Sequence, residues 1–283
     1  MRNPGVFFSV VYPQALPYLK DLRESALAQT RKDFDFLVIN DGCDSGCITE
    51  ELKGVNVTVI DSEGGFTVNR LQGINYAKYY GYDFILFCDA DDSFTSNRYE
   101  RTMVEFEKSN ADIIVCNLNI ADEQCHPFLK DYFTKEIPAE RWIDADFLKD
   151  KNIFGMSNTA IRLSSLRGKV QLPETPIVDW LLFTGLLLKG LNAKYIKDSM
   201  INYRQYSTNM IGITRYDVTG FKKLAGLKKD HYRLLAESGY TQYVKLYEES
   251  KALQELSDEE IEQIIKRELA IHPQPLWWQI ITK

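Results

Sequence analysis

The sequence predicts an α/β protein: a mostly parallel sheet flanked by helices, followed by a helical C-terminal extension. Up to about residue 120, short apolar runs alternate with segments of helical periodicity. From Asp217 onward the periodicity is helical. The chain has 283 residues, of which 45% are hydrophobic and 26% charged. This length and composition suit one large globular domain, or one domain with an appendage.

The first 120 residues supply the elements of the sheet. The predicted strands are bounded by turn residues and span 6–12, 34–39, 55–60, 84–88 and 112–118. Helices are predicted over 17–30, 67–80 and 97–109. Pro17 suits a first helical turn, Thr67 is a candidate cap for the second helix, and Gly81 ends it. The order β-α-β-β-α-β-α-β predicts a mostly parallel sheet with helices on both faces.

The pattern becomes irregular after residue 120. The predicted elements are a short helix over 139–150, a strand-like segment over 154–163, a helix over 177–189, and short strands over 193–196 and 200–203. Gly190 is expected to end the helix before it. The motif Ser257-Asp258-Glu259-Glu260 has the pattern of a capping box and predicts the start of a last helix.

Charge and cysteine content exclude several classes. The net charge of -6 argues against a nucleic-acid-binding protein. The five cysteines are scattered and no Cys or His cluster completes a zinc site, so we expect reduced thiols in a cytoplasmic protein. The N-terminus leads straight into a strand, which argues against a signal peptide. The longest helical apolar run, 181–188, is too short to span a bilayer.

An acidic motif follows the fourth strand directly. The apolar run at 84–88 ends at Asp89, Asp91 and Asp92. Ligands of open α/β sheets bind beyond the carboxyl ends of the strands. Two carboxylates one residue apart can share Mg²⁺ or Mn²⁺, which takes oxygen ligands and is often completed by substrate phosphates. The motif therefore predicts an Asp-x-Asp site for a nucleotide diphosphate.

Three other interpretations of this motif stay open on the stretch alone. It can be a solvated acidic turn. It also matches the ligand positions of a calcium-binding loop, but Phe94 stands where that loop needs glycine, and a strand precedes it where a helix is expected. A phosphotransferase with Asp89 as nucleophile would need a small, hydroxyl-bearing phosphate loop, which is missing nearby. Motifs elsewhere in the chain are needed to choose among these interpretations.

Several motifs then occur in a recognisable order. They are Ser9-Val10-Val11-Tyr12-Pro13, the helix end Ser25 to Thr30, the run Phe34 to Gly42, Arg70 before Gly73-Ile74, Asp89-Ala90-Asp91-Asp92, Val178-Asp179-Trp180 and Tyr203-Arg204. Their order and spacing resemble the GT-A glycosyltransferases of the large inverting family 2, over roughly residues 5–210. The resemblance implies a nucleotide-sugar-binding half at 1–120, an acceptor-binding half of the same GT-A domain at 121–212, and a helical extension at 213–283.

The resemblance also assigns roles on the donor side. Pro13 and Asp41 would line the pocket for the base and ribose. Arg70 would pair with the diphosphate or support the base pocket, although Leu71 stands where the family has Asn. Asp91 would hold Mn²⁺ or Mg²⁺. Asp89 would serve the metal or the ribose, and Asp92 would support the site.

Two further roles follow from the later motifs. Asp179 matches the acidic residue proposed as catalytic base, and because Val178 stands where the family usually has Glu, it is the only carboxylate at that point. Arg204 matches a late Tyr-Arg that would contact the donor diphosphate. Tyr206 stands where a histidine often follows.

The implied function is metal-dependent inverting transfer of a hexosyl or N-acetylhexosaminyl group, with a UDP-sugar favoured as donor. The acceptor would be a hydroxyl of a glycan or lipid-linked acceptor in bacterial-type surface polysaccharide assembly. A nucleotidyltransferase is an alternative, but residues 12–17 lack the glycine-rich basic loop it needs. A non-catalytic sugar-nucleotide-binding protein would keep Asp41 and Asp91 without a base, and a scaffold protein would bind no donor.

The C-terminal helices allow more than one surface role. Lysines at 222–229 and the segment Pro275-Leu276-Trp277-Trp278 can contact an anionic membrane that carries a lipid-linked acceptor. The same residues can equally form a solvated face and a packed aromatic tail, or a homodimer interface. The expected location is the cytoplasm, with contact at the inner face of the membrane as one option.

Overall fold

The computed structural model describes residues 4–206, 217–273 and 275–279. The strands are β1 Gly5–Val11, β2 Phe34–Asn40, β3 Val57–Asp61, β4 Phe84–Phe87, β5 Ser93–Phe94, β6 Ile113–Ala121, β7 Pro127–Leu129, β8 Arg141–Ile143, β9 Thr159–Arg162 and β10 Ala193–Arg204. The helices are α1 Leu19–Leu27, α2 Ser45–Glu51, α3 Phe66–Tyr79, α4 Arg98–Lys108, α5 Val178–Leu188, α6 Val218–Glu237, α7 Val244–Gln254 and α8 Asp258–Ile271.

One sheet organises the fold, with strand order β3-β2-β1-β4-β9-β6-β10-β5. Strands β1 to β4 run parallel to one another, as do β6 and β10. Strand β9 lies antiparallel between β4 and β6, so the sheet is mixed at its centre. The short strands β7 and β8 pair with β6 and β10. The predicted α/β class with a mostly parallel sheet is confirmed.

Strands β1, β2 and β6 are buried at every position, as expected for apolar runs covered on both faces. The register pairs Val11 of β1 with Asn40 of β2, and Phe8 of β1 with Phe87 of β4. The carboxyl ends of these three parallel strands therefore meet at one edge of the sheet. The residues that follow them, around Tyr12, Asp41 and Asp89, lie at that edge.

Local predictions failed where long-range pairing decides the structure. The helix predicted over 139–150 is wrong, because Arg141–Ile143 forms β8, which pairs with β10 and buries Ile143. Thr67 does not cap α3, since Gly65 occupies the cap position. The hydroxyl of Thr67 instead donates to the carbonyl of Thr175 at 3.2 Å. The two strands predicted over 193–203 form the single strand β10, which has a register shift in its middle.

The C-terminal helices pack against the sheet domain through α5. Trp180 and Leu181 of α5 share an apolar cluster with Tyr232 and Leu235 of α6. Phe221 of α6 packs with α8 in a further cluster. The boundary expected at residues 212 and 213 lies outside the described residues, and the division at 120 stays a prediction. None of the described helices combines the length and apolarity needed to cross a bilayer.

Candidate active site

The acidic motif forms a tight turn between β4 and β5. The backbone N–H of Asp92 donates to the carbonyl of Asp89 at 3.2 Å. Asp92 is buried and accepts the backbone N–H of Arg204 at 2.9 Å. Burial, with the nearby charges of Asp91 and Asp89, raises the pKa of Asp92 well above its ordinary value. Asp92 thus points into the protein and joins the turn to the end of β10.

Two phenols hold the carboxylate of Asp91. The hydroxyl of Tyr206 donates to Oδ2 of Asp91 at 2.5 Å, and that of Tyr12 reaches the same oxygen at 3.5 Å. Burial and the charge of Asp91 raise the pKa of both phenols, that of Tyr12 to about 12. Both hydroxyls therefore keep their protons at neutral pH and act as donors to the carboxylate.

Arg204, at the end of β10, stabilises the acidic turn. Its guanidinium pairs with Asp21 at 2.6 Å, and its Nε donates to the carbonyl of Asp91 at 2.5 Å. It also donates to the carbonyl of Glu123 and lies over the ring of Tyr18. The side chain is only 1% exposed. These contacts position Arg204 as a support of the turn, and its predicted contact with the donor diphosphate stays a prediction.

Arg70 of α3 faces Asp89 across the site. Its Nη2 lies 3.5 Å from Oδ1 of Asp89, and both side chains are partly buried. Burial raises the pKa of Asp89 to about 6, Arg70 opposes this effect, and Asp91 adds to it. The pair therefore places a cation and a carboxylate side by side at the edge of the sheet.

Asp179 lies in the first turn of α5. Its Oδ1 accepts the backbone N–H of Trp180 at 2.8 Å, and its Oδ2 accepts the amide of Asn152 at 3.3 Å. Burial raises the pKa of Asp179 to about 7, against the lowering effect of the Trp180 N–H, and the charge of Asp89 raises it further. A carboxyl with a pKa near neutrality can exchange a proton with a substrate.

A cleft of about 200 Å³ lies at this part of the sheet edge, and its lining does not include Asp91, Asp92 or Arg204. Arg70, Asp89 and Asp179 all line it. Its other walls include Phe66, Met156, Ser157, Pro176, Tyr203, Trp277 and Trp278. Three residues predicted from distant parts of the sequence are thereby brought together.

Pro13 and Asp41 lie outside the lining of this cleft. Both are exposed, Pro13 just after β1 and Asp41 just after β2. The backbone N–H of Asp41 donates to the carbonyl of Val11 at 2.7 Å, which keeps the two strand ends together. Asn40 orders the loop after β2, since its amide donates to Cys43 O at 3.0 Å and to Asp61 at 3.1 Å. Pro13 and Asp41 thus lie at the same sheet edge as the acidic turn.

The sequence did not single out Asn152, or the cleft-lining positions of Trp277 and Trp278. Asn152 is fully buried and contacts Asp179, 27 positions later in the sequence, only through the tertiary fold. No local periodicity marks such a contact. Tyr206 was visible in the sequence as a departure from the family pattern, but its hydrogen bond to Asp91 was not.

The chemistry of the acidic turn fits the divalent cation implied by the resemblance. Among the described residues, no group of three or more His, Cys, Asp or Glu side chains is arranged to hold a metal. The turn offers two carboxylates, Asp89 and Asp91, whose mutual repulsion a cation would relieve. Mg²⁺ and Mn²⁺ suit such a site because they retain waters and accept phosphate oxygens.

Comparison with known proteins gives the family. A family model described as glycosyl transferase family 2 matches residues 9–166. The uncharacterized glycosyltransferase EpsJ of Bacillus subtilis (strain 168) is 31% identical over 105 residues, which cover 35% of this chain and 30% of EpsJ. The chain thus matches less than a third of the length of that relative.

Solved structures show the same fold. S. aureus TarS 1-349 in complex with UDP-GlcNAc superposes with a TM-score of 0.61 at 15% identity, covering 97% of this chain and 78% of that one. The mannosyltransferase PcManGT from Pyrobaculum calidifontis in complex with GDP-Man and Mn²⁺ gives 0.57 at 12% identity, covering 96% and 76%. A longer S. aureus TarS structure gives 0.60 at 15% identity, covering 87% and 43%. The family model matches more than half of the chain, so the protein belongs to glycosyl transferase family 2 and carries a glycosyltransferase domain of GT-A fold.

Proposed function

We propose that this protein is a metal-dependent inverting glycosyltransferase that moves a sugar from a nucleotide-sugar donor, with UDP-sugars favoured, to an acceptor hydroxyl. One observation carries the proposal: Asp179, a carboxyl whose pKa burial raises to about 7, lines the same cleft as Arg70 and Asp89. This arrangement supports Asp179 as a proton acceptor next to residues that would bind a diphosphate and a cation.

On the donor side, Asp91 and Asp89 would hold Mn²⁺ or Mg²⁺, with Asp92 as internal support. When bound, the cation supplies positive charge that stabilises the departing diphosphate. Arg70 adds a second cationic group at the same place. Pro13 and Asp41 would line the base and ribose pocket at the ends of β1 and β2. The neighbours in complex with UDP-GlcNAc, and with GDP-Man and Mn²⁺, support this division.

On the acceptor side, Asp179 would act as general base. The acceptor oxygen forms a bond to the anomeric carbon, the bond to the diphosphate oxygen breaks on the opposite face, and the acceptor proton passes to Asp179. This single displacement inverts the configuration. The backbone N–H of Trp180 and the amide of Asn152 hold both carboxylate oxygens, so the base is oriented before substrate binds.

The acceptor we propose is a glycan or lipid-linked acceptor of bacterial-type surface polysaccharide assembly, and the location we propose is the cytoplasm, with contact at the inner face of a membrane as one option. The family resemblance is the basis for this part. The lysines of α6 support it less than the sequence suggested. Lys222 pairs with Asp258 at 2.6 Å, and Lys228 is buried and donates to the carbonyl of Asp150. A homodimer through these helices is compatible with the same surface.

A thermal-shift screen tests the donor site. UDP, GDP and UDP-GlcNAc are added to the protein with and without Mn²⁺, and the melting temperature is recorded. Binding to the folded state raises it by mass action. We expect a Mn²⁺-dependent rise with UDP ligands that Asp91→Ala abolishes and Asp146→Ala, an exposed carboxylate elsewhere, preserves. Absence of any nucleotide-dependent shift would contradict the proposal, and turnover distinguishes an enzyme from a non-catalytic binding protein.

A further inference from the structure

Residues 275–279, which we call the aromatic tail, pack at a defined position on the protein. The hydroxyl of Tyr132 donates to the carbonyl of Pro275, and the backbone N–H of Asn152 donates to the carbonyl of Trp277 at 2.7 Å. Leu276 is 1% exposed. The tail is therefore anchored by its backbone and by a buried apolar side chain.

The two tryptophans of the tail form part of the cleft wall. Trp277 packs edge-on against Phe133 and Tyr203, with ring centroids 5.5 and 5.3 Å apart. Gly155 leaves room for this ring, since a Cβ there would lie 3.1 Å from it. Trp278 lies parallel to Trp180, the neighbour of Asp179, at 6.0 Å between centroids. Both indoles line the cleft together with Asp179.

Trp278 has two features that packing alone does not explain. Its φ is 64°, in the left-handed region that a bulky residue rarely adopts. Its indole Nε1 is buried and has no hydrogen-bond acceptor among residues 4–206, 217–273 and 275–279. A buried indole N–H usually finds a partner. Because the indole N–H is buried, a ligand in the cleft would contact the ring and not this donor, and the left-handed backbone fixes where the ring lies.

We propose that Trp277 and Trp278 form the acceptor subsite and that it takes a pyranose ring of a glycan. This inference rests on the proposed function and names the substrate class of its acceptor side. The lining of the cleft includes aromatic rings, those of Phe66 and the two tail tryptophans, and the carboxylate of Asp179, while Arg70 and Asp89 in the same lining serve the donor. A pyranose ring has a matching pair of surfaces: a C–H face for the electron-rich face of an indole, and hydroxyls for polar groups.

The size of the cleft supports a single ring. Its volume of about 200 Å³ lies below the roughly 300 Å³ at which pockets for larger ligands begin, and the donor-side residues Arg70 and Asp89 share it, so the acceptor enters it with no more than one ring. A lipid chain has no hydroxyl to present to Asp179, whereas a sugar hydroxyl can donate to its carboxylate. The terminal sugar of the acceptor would enter the cleft, and the remainder of the acceptor would stay outside it.

Asn152 links this subsite to the base. Its backbone N–H binds the carbonyl of Trp277, and its side chain donates to Asp179. The position of the tail and the orientation of the base therefore depend on one buried residue. A sugar ring resting on Trp278 would present its hydroxyl to a carboxylate held by the same anchor.

The test compares Trp278→Ala and Trp278→Phe with Trp142→Ala, which alters a tryptophan of β8 that is 51% exposed and outside the cleft lining. The acceptor probes are octyl β-D-glucopyranoside, octyl β-D-galactopyranoside and octyl N-acetyl-β-D-glucosaminide. Their binding is followed by saturation-transfer NMR, and their use by acceptor-dependent UDP release. The thermal shift with UDP and Mn²⁺ monitors the donor site and the fold of each variant.

We expect at least one pyranoside to bind the wild-type protein, and Trp278→Ala to weaken its affinity at least about tenfold, or about 1.4 kcal/mol. Trp278→Phe should keep most of the affinity, and Trp142→Ala all of it. The UDP shift should stay unchanged in all three variants. Pyranoside binding that Trp278→Ala leaves intact, or a UDP shift without any pyranoside binding, would overturn the subsite. Loss of the UDP shift in the wild type would instead contradict the proposed function.

Discussion

The amide of Asn152 donates to Oδ2 of Asp179 at 3.3 Å from a fully buried position. The Trp180 N–H occupies the other oxygen at 2.8 Å. Asp179 therefore has a donor on each oxygen, although burial raises its pKa to about 7. The carboxyl is held in one orientation, and at neutral pH its protonated and ionised forms are present in similar amounts.

Replacing Asn152 by Ala should move the pH dependence of the reaction. A hydrogen bond to the charged form of a carboxyl lowers its pKa, so removing the amide should raise the pKa of Asp179. The acid limb of the kcat/KM profile should shift to higher pH, and the rate at pH 7 should fall by up to about tenfold. Asn75→Ala, which removes an amide that binds Val170 outside the cleft, is the control. An unmoved acid limb would contradict the positioning role of Asn152.

The wild-type profile should itself show this titration. Because the base works when ionised, kcat/KM should rise with pH up to about 7 and then level off. A cation bound at Asp89 and Asp91 would favour the ionised form, so the limb seen in kcat should lie at lower pH. A profile that is flat between pH 5 and 8 would contradict the assignment of Asp179 as the base.

Stability should change in the opposite direction to activity. The pKa of Asp179 is raised in the folded state from an ordinary 3.8 to about 7. The unfolded state then binds fewer protons between these values, and the free energy of unfolding falls as pH rises. This contribution is fully present below about pH 4 and is lost through pH 7. Urea unfolding of wild type and Asp179→Asn across this range measures it, and a difference independent of pH would contradict it.

Tyr206 should matter for metal binding. Its hydroxyl donates to Asp91 at 2.5 Å, and partners that orient a metal ligand typically affect affinity by about 10–100-fold. Tyr206→Phe should therefore raise the Mn²⁺ concentration needed for the nucleotide-dependent thermal shift by about tenfold or more. Tyr79→Phe, which alters a tyrosine that is 83% exposed, is the matched control. Equal Mn²⁺ requirements in the wild type and both variants would contradict a role of Tyr206 in metal binding.

Arg204 should contribute to the stability of the fold. A substitution of its partner Asp21 tests this contribution without removing the arginine. Asp21→Asn removes the charge of the carboxylate that pairs with the buried Arg204 guanidinium. The loss of stability should stay below the roughly 3–5 kcal/mol typical of breaking a buried pair, because Asp21 is 39% exposed. Glu24→Gln on the same helix breaks only an exposed contact at 4.0 Å and should have little effect. Urea denaturation compares the two, and equal midpoints would contradict the prediction.

The sheet and its acidic turn could be predicted because their signals are local. The apolar runs of β1, β2 and β4 are buried strands, and each is followed by polar residues at the same sheet edge. Parallel topology then determines which strand ends meet, without knowledge of any side-chain contact. Asp89 and Asp179 were named from motifs, and they line one cleft.

The aromatic residues of the cleft lining could not be predicted, because their positions depend on contacts between distant parts of the chain. Trp277 reaches the cleft through a backbone hydrogen bond to Asn152, 125 positions earlier in the sequence. The same limit explains β8, where pairing with β10 overrides a helical pattern. It also applies to the ion pair of Arg204 with Asp21, which depends on tertiary structure, whereas the donor contact that the Arg204 motif implies stays a prediction.

Asp179→Asn tests the central claim most directly. The variant keeps the size of the side chain and the acceptor oxygen for the Trp180 N–H, but it cannot take a proton from the acceptor. Sugar transfer and the Mn²⁺-dependent UDP shift are measured on the same preparation, with Asp146→Asn as an exposed control. We predict loss of most transfer, by roughly 10²–10⁴-fold, with the UDP shift nearly unchanged. Full transfer activity in Asp179→Asn with an intact UDP shift would contradict the account.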